Sequence, residues 1–165
     1  MTVRVIVLCA LIVAASSLAC SQATVNIEPS HLDGPRILEK ETRAAVIRDY
    51  LASWQRLDAA LEQNRAGLLD ADFVGIAKDR LAATIAGQAA QGIHTRYEDR
   101  SHDIQIVFYS PDGLSIELTD TVEYEIQTSI HNKAQAAQTV RSRFVVVLTP
   151  SEVRWRVRVF QAESE

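Results

Sequence analysis

The chain has 165 residues, 47% of them hydrophobic, which suffices for one continuous core and leaves no room for two domains of ordinary size. Its 17 basic residues are outnumbered by 21 acidic ones, a formal net charge of −4 at pH 7, so a nucleic-acid partner held through the phosphate backbone is excluded for want of a concentrated basic face. Two cysteines rule out a disulfide scaffold.

Met1-Thr2-Val3-Arg4 is a short basic start, and Val5 to Ala15 follows without a charge. That stretch falls short of the roughly 20 apolar residues that span a bilayer, so residues 1–19 read as a signal peptide, with an amino-terminal membrane anchor as the alternative. Ser16-Ser17-Leu18-Ala19-Cys20 resembles the lipobox of bacterial lipoproteins, although Ser17 stands where leucine is usual. Ser17-Leu18-Ala19 equally suits an ordinary small-x-small cut, which would release a secreted or periplasmic protein. Cys9 leaves with the leader, so Cys20 has no intramolecular partner in an oxidising compartment. Acylation of Cys20 accounts for it, because each buried acyl CH₂ contributes about 0.8 kcal/mol of membrane affinity; the alternative is a free or intermolecularly paired thiol. The expected address is a lipid-anchored envelope protein, at the outer membrane of a two-membrane cell by the resemblance of Ser21 to the residue that follows such cysteines. Residues 20–34 are polar and aperiodic and read as a tether, with His31 solvated inside it.

The domain proper is expected over residues 35–165. Pro35 suits the first turn of a helix running to about Asn64, with Ile47, Tyr50, Leu51, Trp54, Leu57 and Leu61 on one stripe and Glu39, Arg43, Arg48, Asp49 and Arg56 mostly elsewhere. Asp70 or Asp72 is a candidate cap for a second helix from Phe73 to Gln91, whose Ala77, Leu81, Ile85 and Ala89 repeat every fourth place. Gly92 is placed to end it in the left-handed conformation.

From Ile93 the period becomes two. Ile104, Ile106 and Phe108 alternate with Gln105, Val107 and Tyr109, and Pro111-Asp112-Gly113 supplies a hairpin turn. Leu114, Ile116, Leu118, Val122, Tyr124 and Ile126 share a face; Val140, Phe144, Val146 and Leu148 share another, as do Val153, Trp155, Val157 and Val159. Charge matching sets Glu125 against Arg141 and Glu123 against Arg143 across a loop centred on Lys133, and leaves Arg154, Arg156 and Arg158 on the solvent side.

Helices followed by a meander predict an α+β fold, with amino-terminal helices packed on a curved antiparallel sheet of four to five strands. The run from Tyr50 to Asp58 and the closing Trp155-Arg156-Val157 resemble the first helix and last strand of the nuclear-transport-factor-2-like superfamily, which includes polyketide-cyclase-like proteins. The resemblance implies a cone-like sheet closed by its helices around a pocket, in domains that often dimerise.

GxSxG, HExxH, CxxC and dinucleotide signatures are all missing, and His31, His94, His102 and His131 show no ligand spacing. No metal, no cofactor and no cysteine nucleophile is expected. Asp120 breaks the inward series between Leu118 and Val122. An inward carboxylate is costly unless paired, so Asp120 is either a pocket base or ligand anchor with a desolvated carboxyl, or sits on a β-bulge at Thr119-Asp120-Thr121 that turns it outward. The assumed register puts Val146 and Ile104 beside it. By analogy with ketosteroid isomerase, Asp120 and Tyr124 are the catalytic candidates; Trp54, Asp120, Tyr124 and Trp155 are the pocket candidates, and Trp54 has core packing as its plain alternative. Val107, Tyr109, Val145, Val147 and Phe160 offer an outer face for a homodimer.

Three functions follow as expectations. The first is a non-catalytic envelope domain binding a small apolar ligand or another envelope protein. The others are a cofactor-independent isomerase, dehydratase or cyclase using Asp120, and an accessory subunit with its pocket filled.

Overall fold

The computed structural model describes residues 22–29, 32 and 36–163. The leader at 1–19, Cys20, His31 and Pro35 lie outside the described residues. Among those described, no helix is long and apolar enough to cross a membrane.

Helix α1 runs Lys40–Glu62, starting five residues later than expected, and α2 runs Gly75–Ala90 after a short 3₁₀ turn at Ala66–Leu69. Tyr50, Trp54, Leu57 and Leu61 of the expected stripe are buried, each apolar side chain of that size contributing about 1.5–3 kcal/mol. Asp49, expected on the solvated face, is also buried, because its Oδ2 accepts the backbone N–H of Trp155 at 2.9 Å. Neither Asp70 nor Asp72 caps α2, whose N-cap is Val74 with no side-chain bond; Asp72 turns instead toward Arg154, just ahead of the last strand, and Arg56 of α1. Ala77 and Ile85 face the core as expected, but Gln88 takes the next inward place and Ala89 is exposed.

Strands β1 (Thr24–Ile27), β2 (Ile93–Tyr109), β3 (Ile116–Ile130), β4 (Lys133–Ala134), β5 (Gln138–Pro150) and β6 (Trp155–Ala162) make one mixed sheet in the order β1-β2-β3-β5-β6, with β4 extending the β3 hairpin. Both helices pack on this α+β sheet, which is not closed. Part of the expected tether is therefore structural, since Thr24–Ile27 pairs parallel with Ser101–Ile104. The opposite edge is covered too: Val74 N–H donates to Val157 O, and Val157 N–H to Asp72 O.

Strand parity in β3 is as read. Ile116, Leu118, Asp120, Val122 and Tyr124 are all buried, and Asp120 lies in unbroken register with both neighbours, so no bulge turns it outward. Leu114 is outside the strand and exposed. The partner across β5 differs from expectation by two places: Asp120 faces Phe144, not Val146, and Glu123 faces Arg141 while Thr121 faces Arg143. The cause is the turn. His131 and Asn132, at φ 48° and 64°, form a tight two-residue reversal just before Lys133, and each place by which a hairpin's centre moves shifts the strand register by two. Gly92, at φ +65°, makes room beside it, because a Cβ there would stand 3.0 Å from the His131 ring.

Three single-residue bulges also change what faces inward. Register shifts at Arg100, Val107 and Arg158 each reverse the alternation beyond them. Tyr109 and Phe160, expected on the outer face, are therefore turned in; Tyr109 is buried and Phe160 stacks on Phe144 at 4.8 Å. Arg154 and Arg156, expected in solvent, reach back to Asp72 Oδ1 and to the carbonyls of Asp70 and Phe73.

Candidate functional site

The bulge at Arg100 builds the site. With one extra residue between them, Asp99 opposite Tyr124 and His102 opposite Val122 point to the same inner side. His102 is 1% exposed and Asp120 0%, so their pairing is an interior one. His102 Nδ1 lies 2.7 Å from Asp120 Oδ2, and since a carboxylate can only accept, Nδ1 carries the proton. The Tyr50 hydroxyl donates to the same oxygen at 2.8 Å and itself accepts the Trp54 Nε1–H at 2.8 Å. Trp54 and Tyr50, four residues apart on α1, thus brace Asp120 from the helix side. Asp120 Oδ1 is buried with no hydrogen-bond partner in the protein.

On its other side His102 Nε2 stands 3.7 Å from Asp99 Oδ2. Both residues line a groove of about 510 Å³, walled by Gln22, Ala23 and Val25 beside β2 and by Leu51 and Gln55 of α1. Nδ1 is committed to Asp120, so the Nε2 edge is the one left for the groove. The volume falls in the range of small-molecule sites.

Burial works against the charged imidazole, yet its hydrogen bond to Asp120, the close approach of Asp99 and the charges of both carboxylates outweigh it and raise the His102 pKa to about 9. His102 is an imidazolium at neutral pH, an acid held between two carboxylates. Burial, reinforced by the Asp120 charge, pushes the Tyr50 hydroxyl well above its ordinary value, so it stays a donor.

The expected site residues separate into three places. Asp120 is inward, as read, and Trp54 is both core and brace. Tyr124 is the cross-strand partner of Asp99 and meets Trp54 at 6.0 Å, but among the described residues its hydroxyl makes no hydrogen bond with this network, and its ring lies on an apolar hollow. Trp155 is half-buried against the core near Asp49 and lines neither cavity. The interior between helices and sheet is largely filled by Trp54, Phe144 and Phe160, which pack edge to face at 5.3 Å from Trp54. His102, Asp99 and Tyr50 had not been singled out. One signal was available: His102 shares parity with Ile104 and Ile106. Among the described residues, no group of three or more His, Cys, Asp or Glu is arranged to hold a metal ion.

No family model matches the chain, and no curated protein sequence does. Solved structures do. The intermembrane space region of the chloroplast protein ARC6 superposes with a TM-score of 0.64 at 16% identity, covering 79% of this chain and all of that one. A candidate scytalone dehydratase from Novosphingobium aromaticivorans gives 0.53 at 14% identity over 76% of this chain and 89% of its own. The Kfla4162 protein of Kribbella flavida gives 0.51 at 11% identity, over 75% and 91%. At these identities the likeness concerns the fold alone, and that fold is the nuclear-transport-factor-2-like α+β cone.

Proposed function

We propose that this domain is a cofactor-independent acid–base enzyme of the dehydratase type, acting on a small hydroxy-carbonyl compound bound in the groove beside β1. The observation that carries the reading is His102, which joins the buried carboxylate of Asp120 to an open groove that also holds Asp99. In the proposed reaction Asp99 takes the proton alpha to the carbonyl while His102 Nε2–H protonates the departing hydroxyl, so that water leaves as the carbon–carbon double bond forms. Returning the proton from Asp99 to His102, 3.7 Å away, resets the pair. Asp120 acts through His102 by fixing its orientation and stabilising its positive charge; Tyr50 and Trp54 position Asp120.

The test uses two β-hydroxy ketones, diacetone alcohol and the benzaldehyde–acetone aldol adduct, with enone formation followed by ultraviolet absorbance. His102→Gln and Asp99→Asn are each expected to lower kcat/KM by about 100-fold or more. Rates equal to wild type in both variants reject the assignment. Binding of both compounds without turnover by the wild type favours the second reading, a non-catalytic ligand-binding domain, for which the aromatic filling of the interior speaks.

The proposed address is the cell envelope, with Cys20 acylated. In that case β1, which begins at Thr24, holds the domain close against the membrane surface, since the four steps from Cys20 to Thr24 reach no more than about 14 Å. Intact-mass measurement of the mature amino terminus, alongside Cys20→Ser, tests the anchor. A homodimer through the half-buried outer-face residues Val107, Val145 and Val147 belongs to the same proposal and is read by sedimentation.

A further inference from the structure

Next to the groove, between α1, α2 and the sheet, lies a second and smaller space of about 90 Å³. Trp54, Leu57, Tyr124, Phe144 and Phe160 line it, no charged side chain does, and it reaches the surface beside Thr84 of α2, an exposed position. The groove is the more polar of the two, with Glu98, Asp99 and His102 in its lining beside the apolar Val25 and Leu51. One side chain belongs to both linings, and it is Tyr97.

The main chain of Tyr97 is held in place independently of its ring. Among the described residues β1 pairs only with Ser101–Ile104, so no strand pairs with the edge at Tyr97, and its N–H donates to Asp58 Oδ1 at 2.7 Å. Its ring meets Tyr124 edge to face at 5.3 Å. The ring is thus a wall between the two spaces whose backbone is pinned from α1.

We infer that Tyr97 sets ligand specificity, as the partition that decides whether the apolar part of a groove-bound ligand can enter the aromatic hollow. The ligand class follows from the two linings: an oxygenated head beside His102 and Asp99, joined to one flat apolar ring. Aromatic walls favour an aryl ring over an alkyl chain through edge-to-face contacts. This rests on the proposed use of the groove as a ligand site, but not on any chemistry there.

The test reads binding alone, through quenching of tryptophan emission by two enones, mesityl oxide and benzylideneacetone. The background is Trp155→Phe, which leaves Trp54 in the hollow as the sole tryptophan of the two. Tyr97→Ala is expected to raise the ratio of benzylideneacetone to mesityl oxide affinity about tenfold, the worth of burying part of a ring. Tyr97→Phe, which keeps the wall, leaves the ratio where it was. Tyr97→Leu guards against a folding defect and moves the ratio the same way by less. Adding Thr84→Phe to Tyr97→Ala refills the hollow and returns the ratio to its starting value. An unchanged ratio in both Tyr97→Ala and Tyr97→Leu, a gain that survives Thr84→Phe, or no quenching by either enone in any variant overturns the inference. A shifted ratio in protein that dehydrates neither aldol adduct retains Tyr97 as partition and rejects the enzyme.

Discussion

Asp120 and Asp72 are both closed off from solvent, at 0% and 1% exposure, and each keeps one oxygen without a hydrogen-bond partner. Their neighbours differ in kind. Arg154 Nη1 donates to Asp72 Oδ1 at 2.7 Å, and Arg56 Nε lies 3.6 Å from Oδ2. Guanidinium groups do not release protons at accessible pH, so this cluster is a fixed charge pair that ties the turn before α2 to β6. Asp120 faces an imidazole, which titrates, and a phenol that stays a donor, and its histidine borders an open groove. A buried acid by itself marks no site. What marks one is a partner able to exchange protons and a route from that partner to a ligand.

Stability breaks the comparison most forcefully. Arg154→Met deprives a buried carboxylate of its nearest cation and is expected to lower the urea unfolding midpoint at neutral pH by more than Asp120→Asn or Tyr50→Phe does. The His102 titration, followed by NMR, should not move with it. If it does, the two clusters are coupled and the distinction fails.

The pH profile of stability comes second. The folded His102 value of about 9 lies above the ordinary 6.5, so between them the folded state holds more protons than the unfolded chain. The stabilisation is complete below about pH 6.5 and is lost as pH rises through about 9. Tyr97, which burial first and the nearby Tyr124 and Asp58 next push up to about 12, adds a separate loss only above its ordinary value near 10. Arg154→Met should retain the decline from 6.5 to 9, whereas Asp120→Asn should flatten it. A flat wild-type curve across that window would remove the imidazolium from the account.

The smallest effect is expected at Tyr50→Phe, which deletes one donor to Asp120 and the acceptor of Trp54 Nε1. A loss of about 1 kcal/mol by thermal unfolding, with a shifted Trp54 emission, fits a brace. No change in either would leave Asp120 positioned by His102 alone.

Much of the fold was legible because periodicity is a local property. The core stripe of α1, the inward series Leu118-Asp120-Val122-Tyr124 and the turn at Pro111-Asp112-Gly113 each depend on residues a few places apart, and each is present; Gly113 has φ +77°. The site was only half legible. Asp120 was visible as a polar residue in an apolar series. His102 shares its face by simple alternation with Ile104 and Ile106, but Asp99 does not, because strict alternation assigns opposite faces to residues three apart, and only the extra residue at Arg100 brings Asp99 to the same side. The same blindness put Tyr109 and Phe160 outside. Charge matching misled in its own way: Arg141 lies near Asp103, at 3.8 Å, and Arg143 near Glu163, at 3.2 Å, so complementary signs were satisfied by partners other than those assumed. Exposed pairs contribute too little to dictate a register.

By itself, then, the sequence determined the order of the two helices and the long strands β2, β3, β5 and β6, the face each apolar residue of β3 presents, and the presence of a carboxylate among them. Those follow from backbone periods of 3.6 and 2 acting over neighbouring residues. The tertiary structure decided where β1 docks, which places bulge, and which side chains meet across strands. These are long-range choices, in which a single inserted residue turns every later side chain over, and its cost is set by the packing of strands far apart in the chain.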